Sequence, residues 1–391
     1  RLRAEPGPGG LGRPDGLGDG RHGVRDRRPR PFAQLPRVGE QPHPGFEPRH
    51  ALQLAPEPER PAPLRDRREL GPPRRRVLQV RPAVDDDAQL VAELMDVPVS
   101  AERPAQIVRG WREHWDEHGY GAWIVQDGVG ARVGFVGLRA HADFIRVTIR
   151  VVEGEGSDTL AGRALRLVVA YCLEWLPDLP LRLRVAPEDI STRFVAEAAG
   201  MVHVPELDHT VDGEAWEVLE LPYVRITDKV PARAREAMLR MWVEVNDAGG
   251  AVGFAPGASE GEVARVLDGY IARLGEGGVR CVALNSPLGD LLGFGFVDRP
   301  TGATVAHTAN LERIMTDPGR RGTNHGALLM AGLHRAAREA GVELVTLDYR
   351  GGTGLGEFYT RYGYTEVGRV PGGVRVAPGD DRDGVIMARS L

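Results

Sequence analysis

Lysine is almost missing from this chain: Lys229 is the only one among 50 basic residues, and all the others are arginine. We attribute that bias to a GC-rich coding sequence and read no function into it. Cysteine is nearly as scarce. Cys172 and Cys281 stand far apart inside apolar runs, which is neither a disulfide framework nor a zinc ligand set, and a reducing cytoplasm is the expected setting. No run approaches the ~18 apolar residues of a membrane span, so no membrane partner is expected. No Walker, CxxC or Ser-His-Asp pattern occurs either.

What is present divides unevenly. The chain has 391 residues, a length that suggests two or three folded units. Residues 1–76 hold 17 arginines against 10 acidic residues, net +7. The whole chain carries −5, so the remainder carries −12. An acidic folded part argues against nucleic acid as a partner. Of 30 prolines, 15 lie in the first 73 residues among repeated Arg and Gly. Such a segment cannot bury enough apolar surface to offset its ordering entropy, so residues 1–76 are expected to be a disordered leader.

From Val77 the pattern changes to alternating elements. Strands are expected at Val77–Arg81, Gly121–Gln126, Val133–Leu138, Phe144–Val152, Leu181–Val185 and Ala215–Leu221. Helices are expected at Asp85–Met95, Ala101–Glu117, Leu160–Leu176 and Ile190–Ala199. The same order then returns. Strands fall at Val224–Ile226, Arg280–Leu284, Leu291–Val297, Thr304–Met315, Val342–Asp348, Thr365–Arg369 and Gly384–Arg389. Helices fall at Ala232–Val245, Glu260–Leu274, His325–Ala340 and Leu355–Tyr362. Two copies of one architecture, 77–223 and 224–391, is the economical reading.

The strongest local signal is Asp317-Pro-Gly-Arg-Arg-Gly-Thr-Asn-His-Gly-Ala-Leu-Leu-Met330, between a predicted strand and a long amphipathic helix. A glycine-bearing strand-to-helix turn presents unpaired N–H groups at a positive helix end, which suits a phosphate or pyrophosphate. Gly322 and Gly326 allow close approach, and Arg320 and Arg321 add charge. Downstream come Leu347-Asp-Tyr-Arg350 and Glu357-Phe-Tyr-Thr-Arg-Tyr-Gly-Tyr364, and upstream Gly249-Gly-Ala-Val-Gly-Phe254 and His307-Thr-Ala-Asn-Leu-Glu-Arg-Ile-Met315. Together these motifs resemble the GCN5-related N-acetyltransferase (GNAT) superfamily across essentially all of 224–391. Arg321, Asn324 and Gly326 occupy the positions of its Arg/Gln-x-x-Gly-x-Gly/Ala loop, with Asn324 in place of the middle glycine. Asn tolerates left-handed backbone better than other non-glycine residues.

The resemblance implies an α/β fold class: two tandem acyl-CoA N-acyltransferase folds, each a mixed, mostly antiparallel sheet flanked by helices. It implies acetyl-CoA as cosubstrate without a metal, and a small-molecule or peptide amine as acceptor. Ile314, Met315, Arg320, Arg321, Gly322, Asn324, Gly326 and Ala327 would hold the cofactor, and Tyr359 would be the general acid for the departing thiolate. For the base, Glu312 is a candidate, as are Asn310 and His307 through a water; alternation puts 310 and 312 on one strand face. Core packing of Tyr359 and solvated roles for the others are the bland alternatives.

Residues 77–223 look like the same superfamily, in the version related to enzymes that acetylate ribosomal-protein N-termini. The likeness rests on Arg81-Pro-Ala, His118-Gly-Tyr-Gly-Ala-Trp123, Val133-Gly-Phe-Val-Gly-Leu138 and Val195-Ala-Glu-Ala-Ala-Gly-Met201. Its loop, Gly156-Ser-Asp-Thr-Leu-Ala161, lacks the arginine and lies near Glu153, Glu155 and Asp158, which would repel a phosphate. Asp189 stands where the family commonly has asparagine. A degenerate first site beside an active second one is therefore expected; the rival is a scaffold in which both have lost the cofactor. Two further patterns resolve blandly. His114-Trp-Asp-Glu-His118 has inverted zinc-protease spacing but reads as a helix end. Gly351-Gly-Thr-Gly-Leu-Gly356 misses the dinucleotide register and reads as a flexible loop.

Overall fold

A computed structural model of the chain describes residues 52–53, 78–95, 98, 102–154, 156–176, 178–255 and 257–391. The first sheet holds β1 (Leu52–Gln53), β2 (Gln79–Pro82), β3 (Trp123–Gln126), β4 (Arg132–Ala140), β5 (Ile145–Val151), β6 (Leu181–Val185), β7 (Val202–His203), β8 (His209–Val211) and β9 (Glu214–Glu220). Around it stand α1 (Ala88–Leu94), α2 (Glu102–His118), α3 (Ser157–Trp175) and α4 (Ile190–Ala198). The second sheet holds β10 (Tyr223–Thr227), β11 (Val279–Asn285), β12 (Leu291–Asp298), β13 (Thr308–Thr316), β14 (Leu344–Arg350), β15 (Thr365–Ala377) and β16 (Asp380–Ser390). Its helices are α5 (Ala232–Asp247), α6 (Glu260–Ala272), α7 (His325–Glu339) and α8 (Leu355–Arg361).

The strand orders match. The first sheet runs β1-β2-β3-β4-β5-β6-β9-β7, with β8 a flap on β9, and the second runs β10-β11-β12-β13-β14-β16-β15. Without β1 and β8 the two paths are the same, and in each only the central pair, β5/β6 or β13/β14, is parallel. The chain is thus of the expected class, α/β with two mixed sheets flanked by helices.

Most of the expected leader lies outside the described residues. Within it Leu52–Gln53 is a correction: it pairs antiparallel with Gln79 and Val80, because the edge of β2 offers unpaired N–H and C=O groups to any extended segment. The strand expected from Thr304 begins only at Thr308. Gly302, at φ 133°, opens a 3-10 turn over Ala303–Val305 that the Thr308 hydroxyl closes onto the Val305 carbonyl at 2.9 Å. β15 runs on past Arg369 as far as Ala377, absorbing Pro371–Gly373 as a break in register against β16. The strands β7 and β8 are too short to show a pattern in the sequence.

One difference separates the strands on either side of the two central pairs. β5 pairs with β4 in unbroken register from Gly134↔Val151 to Ala140↔Ile145. β13 instead bulges: Phe294 faces Met315 and Phe296 faces Glu312, so Arg313 and Ile314 share the space opposite Gly295, and Arg313 adopts φ 53°. A bulge bends the strand and sharpens its twist. β13 and β14 pair only from Thr308↔Leu344 to Asn310↔Thr346 and then part, as β5 and β6 do after Val147↔Leu183.

The two halves pack through α3 and α7. α7 is buried on nearly every side, and Gly332 lets it approach β10 so closely that a Cβ there would lie 2.7 Å from Val224. Across the junction, Glu174 on α3 takes hydrogen bonds from Arg338 and, at 3.2 Å, from Arg389, and Arg335 reaches Asp178 at 2.6 Å. Burial pushes the Glu174 carboxyl up, but the Arg389 and Arg338 guanidiniums beside it hold it below the usual carboxylate range. Burial keeps His334 neutral. The geometry agrees: Arg389 donates to its Nδ1 at 2.7 Å, leaving Nε2–H to face Tyr364 Oη at 2.9 Å.

Candidate functional site

Where β13 and β14 part, a cavity of about 550 Å³ opens, lined among others by Glu312, Ile314, Arg321, Asp348 and Tyr359. α8 carries Tyr359 there; the helix starts after Gly354, whose φ of 76° only glycine adopts freely. Tyr359 is 6% exposed and packs against Tyr349, Phe358 and Tyr364. Burial pushes its phenol far above the usual range, and Asp348 and Tyr349 add to the shift. At neutral pH the hydroxyl is therefore a hydrogen-bond donor.

Glu312 sits just before the bulge. Its carboxylate accepts from the Tyr270 hydroxyl and, at 2.8 Å, from Asn310 Nδ2. Asn310 in turn accepts from the Thr346 hydroxyl at 3.3 Å, across the last paired rung of β13 and β14. Burial and the Glu312 hydrogen bond push Tyr270 up to about 12, so it too stays protonated. The guanidinium of Arg313 lies over the rings of Trp242 and Tyr270, each at 5.9 Å. It fits because residue 253 is glycine: at φ 95°, a Cβ there would meet the guanidinium at 2.1 Å. Arg350 donates to the Gly249 carbonyl at 2.9 Å and ties the same loop to the end of β14. His307 does not join this group. It is exposed at the head of β13, five residues, or roughly 16 Å of strand, from Glu312.

A second cavity, about 340 Å³, adjoins the first and shares Thr316 and Arg321 with it. It surrounds the start of α7, where Asn324 stands at φ 64° and no side chain caps the helix. Arg320, Gly322, Asn324, Gly326 and Ala327 line it, so the cofactor residues expected from sequence fall along two connected pockets. Met315 is the exception in kind: its side chain is 3% exposed and belongs to the core with Trp242 and Phe294, leaving only main chain for the cavity. His325, not singled out from sequence, is buried at the first turn, and burial with nearby Arg320 pulls it down to about 4. An uncapped helix start, a left-handed turn and arginines fit the phosphates of a coenzyme A ester.

The first half differs at the matching place. α3 starts after Gly156 at φ 81°, Asp158 accepts from the Ser191 hydroxyl, and Asp189 caps α4 by accepting from Thr192 N–H at 2.9 Å. Glu155 lies outside the described residues. The rings of His114 and His118 lie 4.3 Å apart, tilted by 55°, and Ala140 N–H donates to His114 Nε2 at 3.3 Å. Gly356 has a packing role, since a Cβ there would lie 2.4 Å from Tyr349 Oη. No helix among the described residues is long and apolar enough to cross a membrane.

No family model matches the chain, and no curated protein does. Among solved structures, a ribosomal-protein-alanine N-acetyltransferase of Brucella melitensis is similar at 17% identity, covering 43% of this chain and 99% of its own, with a TM-score of 0.36. A GCN5-related N-acetyltransferase of Kribbella flavida is similar at 17% identity, covering 43% and 98%, TM-score 0.36. A Salmonella typhimurium protein solved with its cofactor acetyl-CoA is similar at 15% identity, covering 44% and 94%, TM-score 0.36. Likenesses this distant carry no functional weight. The residues of the two cavities must supply it.

Proposed function

We propose that the second half, 224–391, is an acetyl-CoA-dependent N-acetyltransferase acting on a primary amine by direct attack. The observation that carries this reading is a cavity lined by Glu312 and Tyr359 that adjoins an uncapped, arginine-flanked helix start. Main chain at Ile314 and Met315 would hold the pantetheine arm, and Arg320, Arg321, Gly322, Asn324, Gly326 and Ala327 the pyrophosphate. When bound, acetyl-CoA supplies an activated acetyl thioester.

The rest of the chemistry falls to the chain. Glu312, fixed by Tyr270 and Asn310, holds the acceptor ammonium and takes its proton, directly or through a water, freeing the nitrogen lone pair. The amine nitrogen then bonds to the acetyl carbon as the carbon–sulfur bond breaks, and the second proton that the nitrogen sheds on becoming an amide ends on the departing thiolate. Tyr359 donates to the departing sulfur. Its pKa is raised well above the ~8.5 of a free thiol, so donation of a hydrogen bond precedes any full proton transfer. Asp348 and Glu312 line the cavity together with Arg313, Arg321, Arg350 and Arg375, so a positive charge on the acceptor would be met at Glu312 and not by the cavity as a whole. Incubating the full chain with acetyl-CoA and a panel of amines, and following release of free CoA, tests the reading. Acetyl-CoA binding without turnover on any amine or peptide N-terminus would favour a binding protein instead.

A further inference from the structure

The first half has a cavity of its own, about 740 Å³, between α2 and the strands β4 and β5. Glycine keeps it open from both walls. Gly110 stands in the middle of α2, where glycine costs about 1 kcal/mol relative to alanine, and a Cβ there would meet nothing within 4 Å. On the other wall Phe135, Gly137 and Arg139 alternate on one face of β4. Glycine inside a strand marks a close approach by a ligand or another backbone. At the Phe135 end Ile107 and Trp111 join the lining, the two aromatic rings 4.7 Å apart.

Four residues along β4, roughly 13 Å of strand, the lining turns cationic. Arg139, Arg146 and Arg182 are direct cross-strand partners on β4, β5 and β6, and like charges so aligned destabilise a sheet. Arg182 is answered by Glu220 at 2.7 Å. Arg139 and Arg146, which line the cavity, are not. Among the described residues no hydrogen bond or ion pair joins either to a carboxylate, and Arg146 Nε is buried without an acceptor. Burial, Arg184 and Arg139 hold Arg146 below the usual guanidinium range, and burial with the same three arginines lowers His141 against Asp143. Arg103, Glu113 and Glu117 also line the cavity, from exposed positions on α2.

We infer that this cavity binds a small organic anion, an apolar or aromatic body carrying a phosphate or carboxylate, with the body over Gly137 against Trp111 and Phe135 and the head between Arg139 and Arg146. The head supplies the counter-charge that these arginines lack within the chain, and a guanidinium takes either oxyanion in a two-pronged bond. Binding here needs no acetyl-CoA, so the inference stands apart from the reading of the second half.

Calorimetric titration of the full chain with phenyl phosphate and with benzoate, against inorganic phosphate, acetate and benzyl alcohol as the separate parts, tests it. At least one of the two composite anions should bind about tenfold or more tighter than its parts. Arg146→Met keeps an unbranched apolar stem and removes the charge, and should weaken that anion by about tenfold or more. The same variant should melt no lower than the wild type, because the charge it removes is uncompensated in the empty protein. Gly110→Leu, a change that favours the helix, should also weaken the anion by filling the apolar end. Neither composite anion bound better than its parts, an affinity indifferent to Arg146→Met, or a lower melting midpoint in that variant would each overturn the inference.

Discussion

Asn324 Nδ2 donates to the carbonyl of Ala199 at 3.1 Å, so the turn that opens α7 is latched to the end of α4 in the other half. The next residue, Gly200, shows how tight the junction is. At φ 98°, a Cβ on it would come within 2.9 Å of Leu328 Cδ1 and 3.0 Å of the Thr323 carbonyl. Gly200→Ala should therefore destabilise the chain by about 1–3 kcal/mol, through left-handed strain and overpacking together. A denaturant midpoint equal to that of the wild type would mean that the halves do not meet at Gly200.

Acid should weaken the fold. His325 is drawn from 6.5 down to about 4 by burial and Arg320, and His334 is lowered by burial. A base with a depressed folded pKa contributes stability that is full above its unfolded value and is lost as pH falls toward the folded one. Glu174, held below its ordinary range by Arg389 and Arg338, adds a loss of the same sign over a lower range. The thermal midpoint should fall steadily from about pH 6.5 to pH 4, and His334→Gln should flatten the upper part of that profile. A midpoint constant over this range would contradict neutral burial of the histidines.

Tyr359→Phe keeps the ring packing and removes only the hydroxyl. Turnover on a reactive amine should drop by about 10²-fold or more, with acetyl-CoA affinity little changed. Equal turnover in the two proteins would return Tyr359 to a packing role.

Glu312→Gln keeps both the length and the hydrogen-bonding capacity toward Tyr270, yet it removes the negative charge. The KM for a cationic amine should rise, and the rate should move to higher pH as the amine must arrive already neutral. An unshifted pH profile would assign the base role to another group.

Much of this architecture was legible in the residues because it depends on local pattern. Leu181–Val185 alternates, Ile190–Ala198 follows an Asp cap, and His325–Glu339 has a 3.6-residue period. The left-handed setting of Asn324 was legible as well, from the turn it occupies. The bulge was not: it sits on Arg313, a residue with no preference for positive φ, and is imposed by packing over Trp242 and Tyr270. His307 stands exposed just before β13, and the alternation that puts Asn310 and Glu312 on one strand face does not extend to it. Arg163 and Arg166 of α3 line the cavity at the start of α7, yet no spacing links them to the loop at 320–326, since only the packing of α3 on α7 brings them there.

The most direct test is calorimetric titration of the full chain and of Arg321→Glu with acetyl-CoA. One equivalent bound by the wild type, with affinity at least about tenfold weaker after charge reversal at the turn, is the expected result. An absence of binding, or an affinity indifferent to the charge at residue 321, would contradict a coenzyme site at the start of α7.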